Sequence, residues 1–299
     1  MKARPNPRHK QTRRPVISSR SLAPSPLALG YTKLFLATLS VLHAAALVFV
    51  YTSVKSGFDA QPLIDQDWGL HFHHLRSLQA YWRDGGGLWG YNPFFMAGYP
   101  SNTIQDLSIK FFELAALGLS SMALSPIQWF KIAAFLAMAS VPWFMAFATR
   151  NFFYDHESRD RIAGGAALLG TLYWWNSLPR EMFFYGMIGF PVAAYVSIWG
   201  VSLFYRLVTE SPRLGLVHLG WFLFAAAILP LHVQSLVIFL PSMLALLISQ
   251  ARRINRKLIL SMVAALALCV LANFAWLVPA FNHRHDDIAA AIVNQLPLF

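Results

Sequence analysis

The chain has 299 residues, of which 57% are hydrophobic and only 12% charged, and its mean hydropathy is +0.47. A soluble domain of this length does not carry so much apolar surface, so the composition predicts a polytopic α-helical membrane protein. The net charge of +11 does not point to nucleic acid, because the basic residues gather in the N-terminal tail and in loops between apolar runs, where the positive-inside rule places them.

In chain order, residues 1–29 carry seven Lys and Arg from Lys2 to Arg20 and no acid, which predicts a disordered basic cytoplasmic tail. The apolar run 31–54 reads as a first span with its N-terminus inside and Lys33 at the inner interface. A long outer loop, 55–126, follows it. Its opening stretch, Leu63 to Leu75, holds Asp65, Asp67, His71, His73 and His74. A helix over 67–83 places Asp67, His71 and His74 on one face, with Trp68, Phe72, Leu75 and Trp82 as an adjacent apolar stripe. Such a helix lies along the membrane surface, stripe down. Two readings of its histidines stand: solvated residues of an interfacial helix, or part of a site announced by the Asp65-x-Asp67 pair, which anchoring alone does not require. After a Gly- and Pro-rich loop over 84–100, the run 104–124 carries one polar stripe of Asp106, Lys110 and Glu113 and reads as a second interfacial helix.

Further apolar runs lie at 127–149, 162–178, 189–208, 213–229, 231–249 and 257–280. With the basic clusters Arg252 to Lys257, Arg206 to Arg213 and Arg150 to Arg161 inside, the loop charges agree only if 104–124 does not cross. The expectation is therefore an all-α transmembrane bundle of seven spans, N-terminus in and C-terminus out. The outer side then collects Asp59, Asp65, Asp67, His71, His73, His74, Glu181, His232, His283, His285, Asp286 and Asp287, and the inner Asp155, His156, Glu157 and Asp160 read as a solvated charge run. His232, beside Pro230, either bonds a freed backbone carbonyl or faces a substrate cavity. A single cysteine, Cys269, rules out an intrachain disulfide.

A first span followed outside by an acidic motif and interfacial helices, then six further spans, resembles the module of the GT-C superfamily of membrane glycosyltransferases. Asp67-x-x-x-His71, the Leu88-Trp89 segment, Gly98-Tyr-Pro100, Gly189-Phe-Pro191 and Phe274-Ala-Trp-Leu-Val-Pro279 resemble, more narrowly, the integral membrane family labelled 6-pyruvoyl-tetrahydropterin synthase-related, whose relatives include the bacterial YfhO-like proteins. The likeness covers residues 30–285, leaving 286–299 as an outer C-terminal segment. It implies a sugar moved from a polyprenyl-phosphate donor to an acceptor on the outer face of the cell membrane, with inversion. Asp67 stands at the reaction centre and Asp65 beside it. Such proteins continue with further spans, so the expectation is either a truncated product or half of a two-chain system whose partner chain supplies them.

The chemistry assigns roles. A carboxylate near the anomeric carbon takes the acceptor's proton, the role given to Asp67, and a cation must meet the departing phosphate. Arg180 and Arg284 are candidates for that cation, and His71, His74 and His232 for contacts to the donor. Asp65, Asp67 and His71 converging on one ion would suit Mn²⁺ or Mg²⁺. Asp59, outside the motif, is expected to matter little. The competing classes are a transporter or flippase of a lipid-linked sugar, which calls for broken helices or charges near the midplane, and a non-catalytic scaffold.

Overall fold

The computed structural model describes residues 26–51, 58–64, 66–92, 99–101, 110–210, 214–233 and 235–282. Asp65, Asp106, His283, Arg284, His285, Asp286 and Asp287 lie outside the described residues. Twelve α-helices account for nearly all of it: α1 Pro26–Tyr51, α2 Asp67–Gly85, α3 Lys110–Gly118, α4 Pro126–Ala139, α5 Val141–Phe152, α6 Arg159–Trp174, α7 Ser177–Phe184, α8 Gly189–Glu210, α9 Leu216–Leu231, α10 Ser235–Ser249, α11 Arg256–Ala272 and α12 Phe274–Asn282. A short antiparallel ribbon, β1 Gly90–Asn92 with β2 Tyr99–Ser101, pairs Tyr91 with Pro100.

Each expected apolar run is helical, but seven uninterrupted spans are not what forms. Among the described residues, two helices, Tyr31–Tyr51 and Gly189–Glu210, are long and apolar enough to cross a membrane, and up to four are if each of two bent pairs counts as one span. The run 127–149 is broken between α4 and α5 with a bend of 43°, and the run 257–280 between α11 and α12 with a bend of 72°. The apolar helices α9 and α10 have 16 and 15 residues. At 1.5 Å per residue they reach only about 24 Å, short of a 30 Å hydrocarbon core.

The breaks have identifiable causes. Pro142, in the first turn of α5, has no N–H to give to the carbonyl four residues earlier, that of Met138. His43 of α1 lies with Nε2 3.1 Å from that carbonyl and donates to it instead. At the second break, the Asn273 side-chain amide donates to the Cys269 carbonyl at 2.7 Å, and its oxygen accepts from Trp276 Nε1 at 2.9 Å. In both places a side chain satisfies backbone that the helix has released, as an apolar setting demands.

At the centre stands α8, packed against α5, α9 and α10. Gly200 permits this: a Cβ there would fall 2.4 Å from the Phe224 ring of α9. The last residue of α1, Tyr51, packs its ring 4.5 Å from Phe183 of α7, which in turn meets Trp68 of α2 at 5.4 Å. Both α2 and α7 therefore sit at the Tyr51 end of the bundle. Lys33 lies eighteen residues earlier on α1, about 27 Å away along the axis.

Candidate functional site

At 100° per residue, His74, Leu78, His71, Leu75, Trp68 and Phe72 follow one another around about 160° of α2, and all six are buried. The stripe that sequence patterning lays against lipid is instead covered by protein, with Trp68 and Phe72 against Phe130 of α4. His71 lies in the middle of that arc and is not solvated. Trp82, on the last turn, remains exposed, as does His73, whose Nε2 accepts from Asn92 Nδ2 at 3.2 Å.

The start of α2 is fixed by the end of α7. The Asp67 N–H donates to the Tyr185 carbonyl at 3.2 Å, Trp68 Nε1 to the Phe183 carbonyl at 2.8 Å, and His71 Nε2 to the Gly186 carbonyl at 3.0 Å. One backbone donor left over at a helix N-terminus and two ring N–H groups thus meet carbonyls at and just beyond another helix's C-terminus. Gly186 carries φ +79°, and a Cβ there would fall 2.6 Å from the Trp68 backbone nitrogen. Gln66, just before Asp67, has φ +49°, the one positive value among described non-glycine residues. The Asp67 carboxylate stands half-buried on this clamped turn.

Behind it lies a polar cluster closed to solvent. On α3, Lys110 Nζ and Glu113 Oε2 are 2.5 Å apart, and both side chains are 0% exposed. Lys110 and Glu113, the described part of the stripe in the 104–124 run, therefore face the core and not the interface expected for them. One ligand atom from each of His71, His74 and Glu113 lies within 4.8 Å of the others. Burial, the larger cause, and then the Lys110 ammonium push the His74 imidazole down to about 3. His71 falls to about 4 through burial, with Lys110 and His232 adding to the drop and its bond to Gly186 opposing it. Both rings are neutral at pH 7 and too weakly basic to serve as a general base there.

Of the residues singled out in the sequence, Asp67, His71 and His74 come together at one end of α2. His232, the C-cap of α9, is buried with its ring 5.3 Å from Phe190 and is close enough to act electrostatically on His71. Arg180 is exposed on α7, its guanidinium 5.9 Å from the Phe184 ring. The expected ion site of Asp65, Asp67 and His71 includes a residue, Asp65, outside the described ones; among the described residues the group with ligand spacing is the two imidazoles and Glu113. That donor set suits a borderline metal better than Mn²⁺ or Mg²⁺, and Lys110 already neutralises its carboxylate. It does not fit a hard divalent ion, and no step is routed through one. The sequence reading noticed Lys110 and Glu113 without assigning them a site, although a Lys and a Glu three apart within Lys110–Gly118, otherwise apolar, signal a buried pair. Gly186 carried no signal at all.

Asp160, expected in a solvated run, is instead buried and paired with Arg150 at 2.8 Å. Asp59, expected to matter little for transfer, has Oδ1 2.8 Å from the buried Lys131 Nζ of α4, a structural contact.

Comparison with protein-family models, with curated proteins and with solved structures gives no match.

Proposed function

We propose that the chain is a multi-pass membrane glycosyltransferase of the GT-C kind, acting at the Tyr51 end of its bundle, the outer face, on a sugar carried by a polyprenyl phosphate. The observation that carries this reading is the clamped first turn of α2. It holds one half-buried carboxylate, Asp67, in place through three hydrogen bonds to α7 and its loop, beside histidines that stay neutral.

In the proposed step the acceptor hydroxyl oxygen attacks the anomeric carbon as its proton passes to the Asp67 carboxylate. The bond from that carbon to the phosphate oxygen breaks, and its electron pair leaves with the phosphate. The configuration inverts. Arg180, exposed on the helix that anchors Asp67, is the cation proposed to meet the phosphate. His71 and His74 hold the turn and exclude water, since neither takes a proton at neutral pH.

The test is transfer from a polyprenyl-phosphate sugar by the full chain, with any partner chain present. Asp67→Asn keeps the size and removes the base, so transfer should fall at least about 10²-fold while folding and insertion survive. Asp84→Asn, exposed at the far end of α2, should leave transfer intact. Undiminished transfer by Asp67→Asn sinks the assignment.

A second reading, a flippase of the same lipid-linked sugar, is favoured by the breaks at Ser140 and Asn273, because discontinuous helices are a transporter feature. Movement of the lipid-linked sugar across vesicles without any transfer would decide for it.

A further inference from the structure

At the end of the bundle opposite α2, helices α1, α5, α6, α8 and α9 line an open cavity of about 460 Å³. Four cations line it, each from a different helix: Lys33, Arg150, Arg159 and Arg206. One carboxylate, Asp160, stands among them. With Glu210, which pairs with Arg206 at 2.7 Å, the surroundings still hold an excess of two positive charges. This is a built arrangement. Arg150 is held through Nε by Asp160, and Arg206 through Nε by Glu210. Those bonds do not consume the terminal nitrogens of either fork, the ones that grip two phosphate oxygens. Deeper in, Trp199 and Leu203 give the cavity an apolar wall.

Two further observations define the ligand. The cavity sits by Lys33, about 27 Å along α1 from Tyr51, which is close to one hydrocarbon thickness from the clamped turn of α2. It therefore lies at headgroup depth on the opposite face. In addition, Asp160 Oδ2 is buried without a hydrogen-bond partner, which an oxyanion alone would repel and a neighbouring hydroxyl would satisfy. We infer that the cavity binds an anionic phospholipid whose headgroup offers a phosphodiester to the arginines and a free hydroxyl to Asp160, as phosphatidylglycerol does. The apolar wall receives the start of the lipid's tails. Basic cavities between membrane helices recognise headgroups in this way. The inference rests on the chain spanning a membrane and not on glycosyl transfer.

The test is native mass spectrometry and thermal unfolding of the full chain in detergent, with added phosphatidylglycerol, phosphatidylmethanol, phosphatidylcholine or inorganic phosphate. Phosphatidylglycerol should bind and raise the midpoint, phosphatidylmethanol, which lacks the hydroxyl, more weakly, and the other two not at all. The double variant Lys33→Gln, Arg159→Gln changes two exposed cations, so it should fold, and should bind phosphatidylglycerol on the order of twentyfold more weakly. Binding undiminished in that variant, or equal binding of phosphatidylcholine, overturns the site. An equal response to inorganic phosphate overturns the lipid in favour of a free anion, and equal binding of phosphatidylmethanol overturns the headgroup assignment.

Discussion

Lys131 Nζ lies 2.8 Å from Asp59 Oδ1 and 3.3 Å from the Asp59 carbonyl, tying the segment beyond α1 to the second turn of α4. The lysine side chain is 5% exposed and the aspartate 32%. Water reaches one partner only, so the carboxylate is what keeps the buried ammonium charged at tolerable cost. Asp59→Asn should lower stability by about 1–2 kcal/mol once screening at the aspartate is allowed for. Thermal unfolding in detergent measures this, and an unchanged midpoint would mean that Lys131 finds its counter-charge elsewhere.

Gly186 joins α7 to α2 at a point where neither its φ nor the space around it admits a side chain. Gly186→Ala must move the loop off Trp68, with strain of about 1–3 kcal/mol, and the His71 and Asp67 hydrogen bonds go with it. Trypsin should then cut faster at Arg76 and Arg83 of α2 than at Arg252 and Arg253, which the change does not touch. Equal rates in parent and variant would show that the clamp is not what holds α2.

How far the sequence foretold this site can be judged residue by residue. The apolar runs were legible because hydropathy over a score of residues is a strong signal. Their breaks were not, although Pro142 is visible, because whether a proline kinks a helix depends on a neighbour such as His43 taking the released carbonyl. The shared face of Asp67, His71 and His74 follows from helical periodicity. What covers the adjacent stripe of Trp68, Phe72 and Leu75 was misjudged, since a pattern gives which residues share a face and not whether lipid or protein covers it. Asp160 was misread because its partner Arg150 stands in the same charge run, whose pattern does not show which of its charges are paired and buried, and the contact of Asp59 joins residues 72 apart. The clamp between α7 and α2 joins residues 115 apart, beyond the reach of any local pattern.

The depressed histidines make stability depend on pH. An unfolded imidazole titrates near 6.5, whereas folded His71 does so at about 4 and His74 at about 3. Below 6.5 the unfolded chain therefore binds protons that the folded one refuses, and stability falls as pH falls. The contribution of the pair is fully present above pH 6.5 and drains away between there and about pH 3. The midpoint of unfolding should drop steadily over that window. Replacing both with glutamine, which does not titrate, should flatten the slope. A slope that persists in the double variant would place its origin in other groups.

Lys110 occupies the position where a cation would otherwise serve Glu113, His71 and His74. Lys110→Met, one atom shorter and otherwise similar in shape, removes the charge and leaves the Glu113 carboxylate closed off from solvent without the ammonium. The expected loss is about 3–5 kcal/mol, the usual result of stripping one partner from a buried pair. It should be accompanied by a rise in the Glu113 proton affinity, so that the variant is less impaired at pH 5 than at pH 8. The same change exposes two neutral imidazoles and a carboxylate to each other, a donor set that holds zinc at three-ligand sites. Micromolar Zn²⁺ should then recover part of the lost thermal stability in Lys110→Met and do nothing for the parent, where the ammonium at 2.5 Å from Glu113 repels a second cation. Combining Lys110→Met with His74→Gln should abolish the rescue, because one imidazole and one carboxylate do not bind zinc strongly enough to compensate. Stabilisation of the parent by zinc would show that Lys110 yields the site to a metal, and absence of rescue in Lys110→Met would show that the three side chains cannot close on one ion.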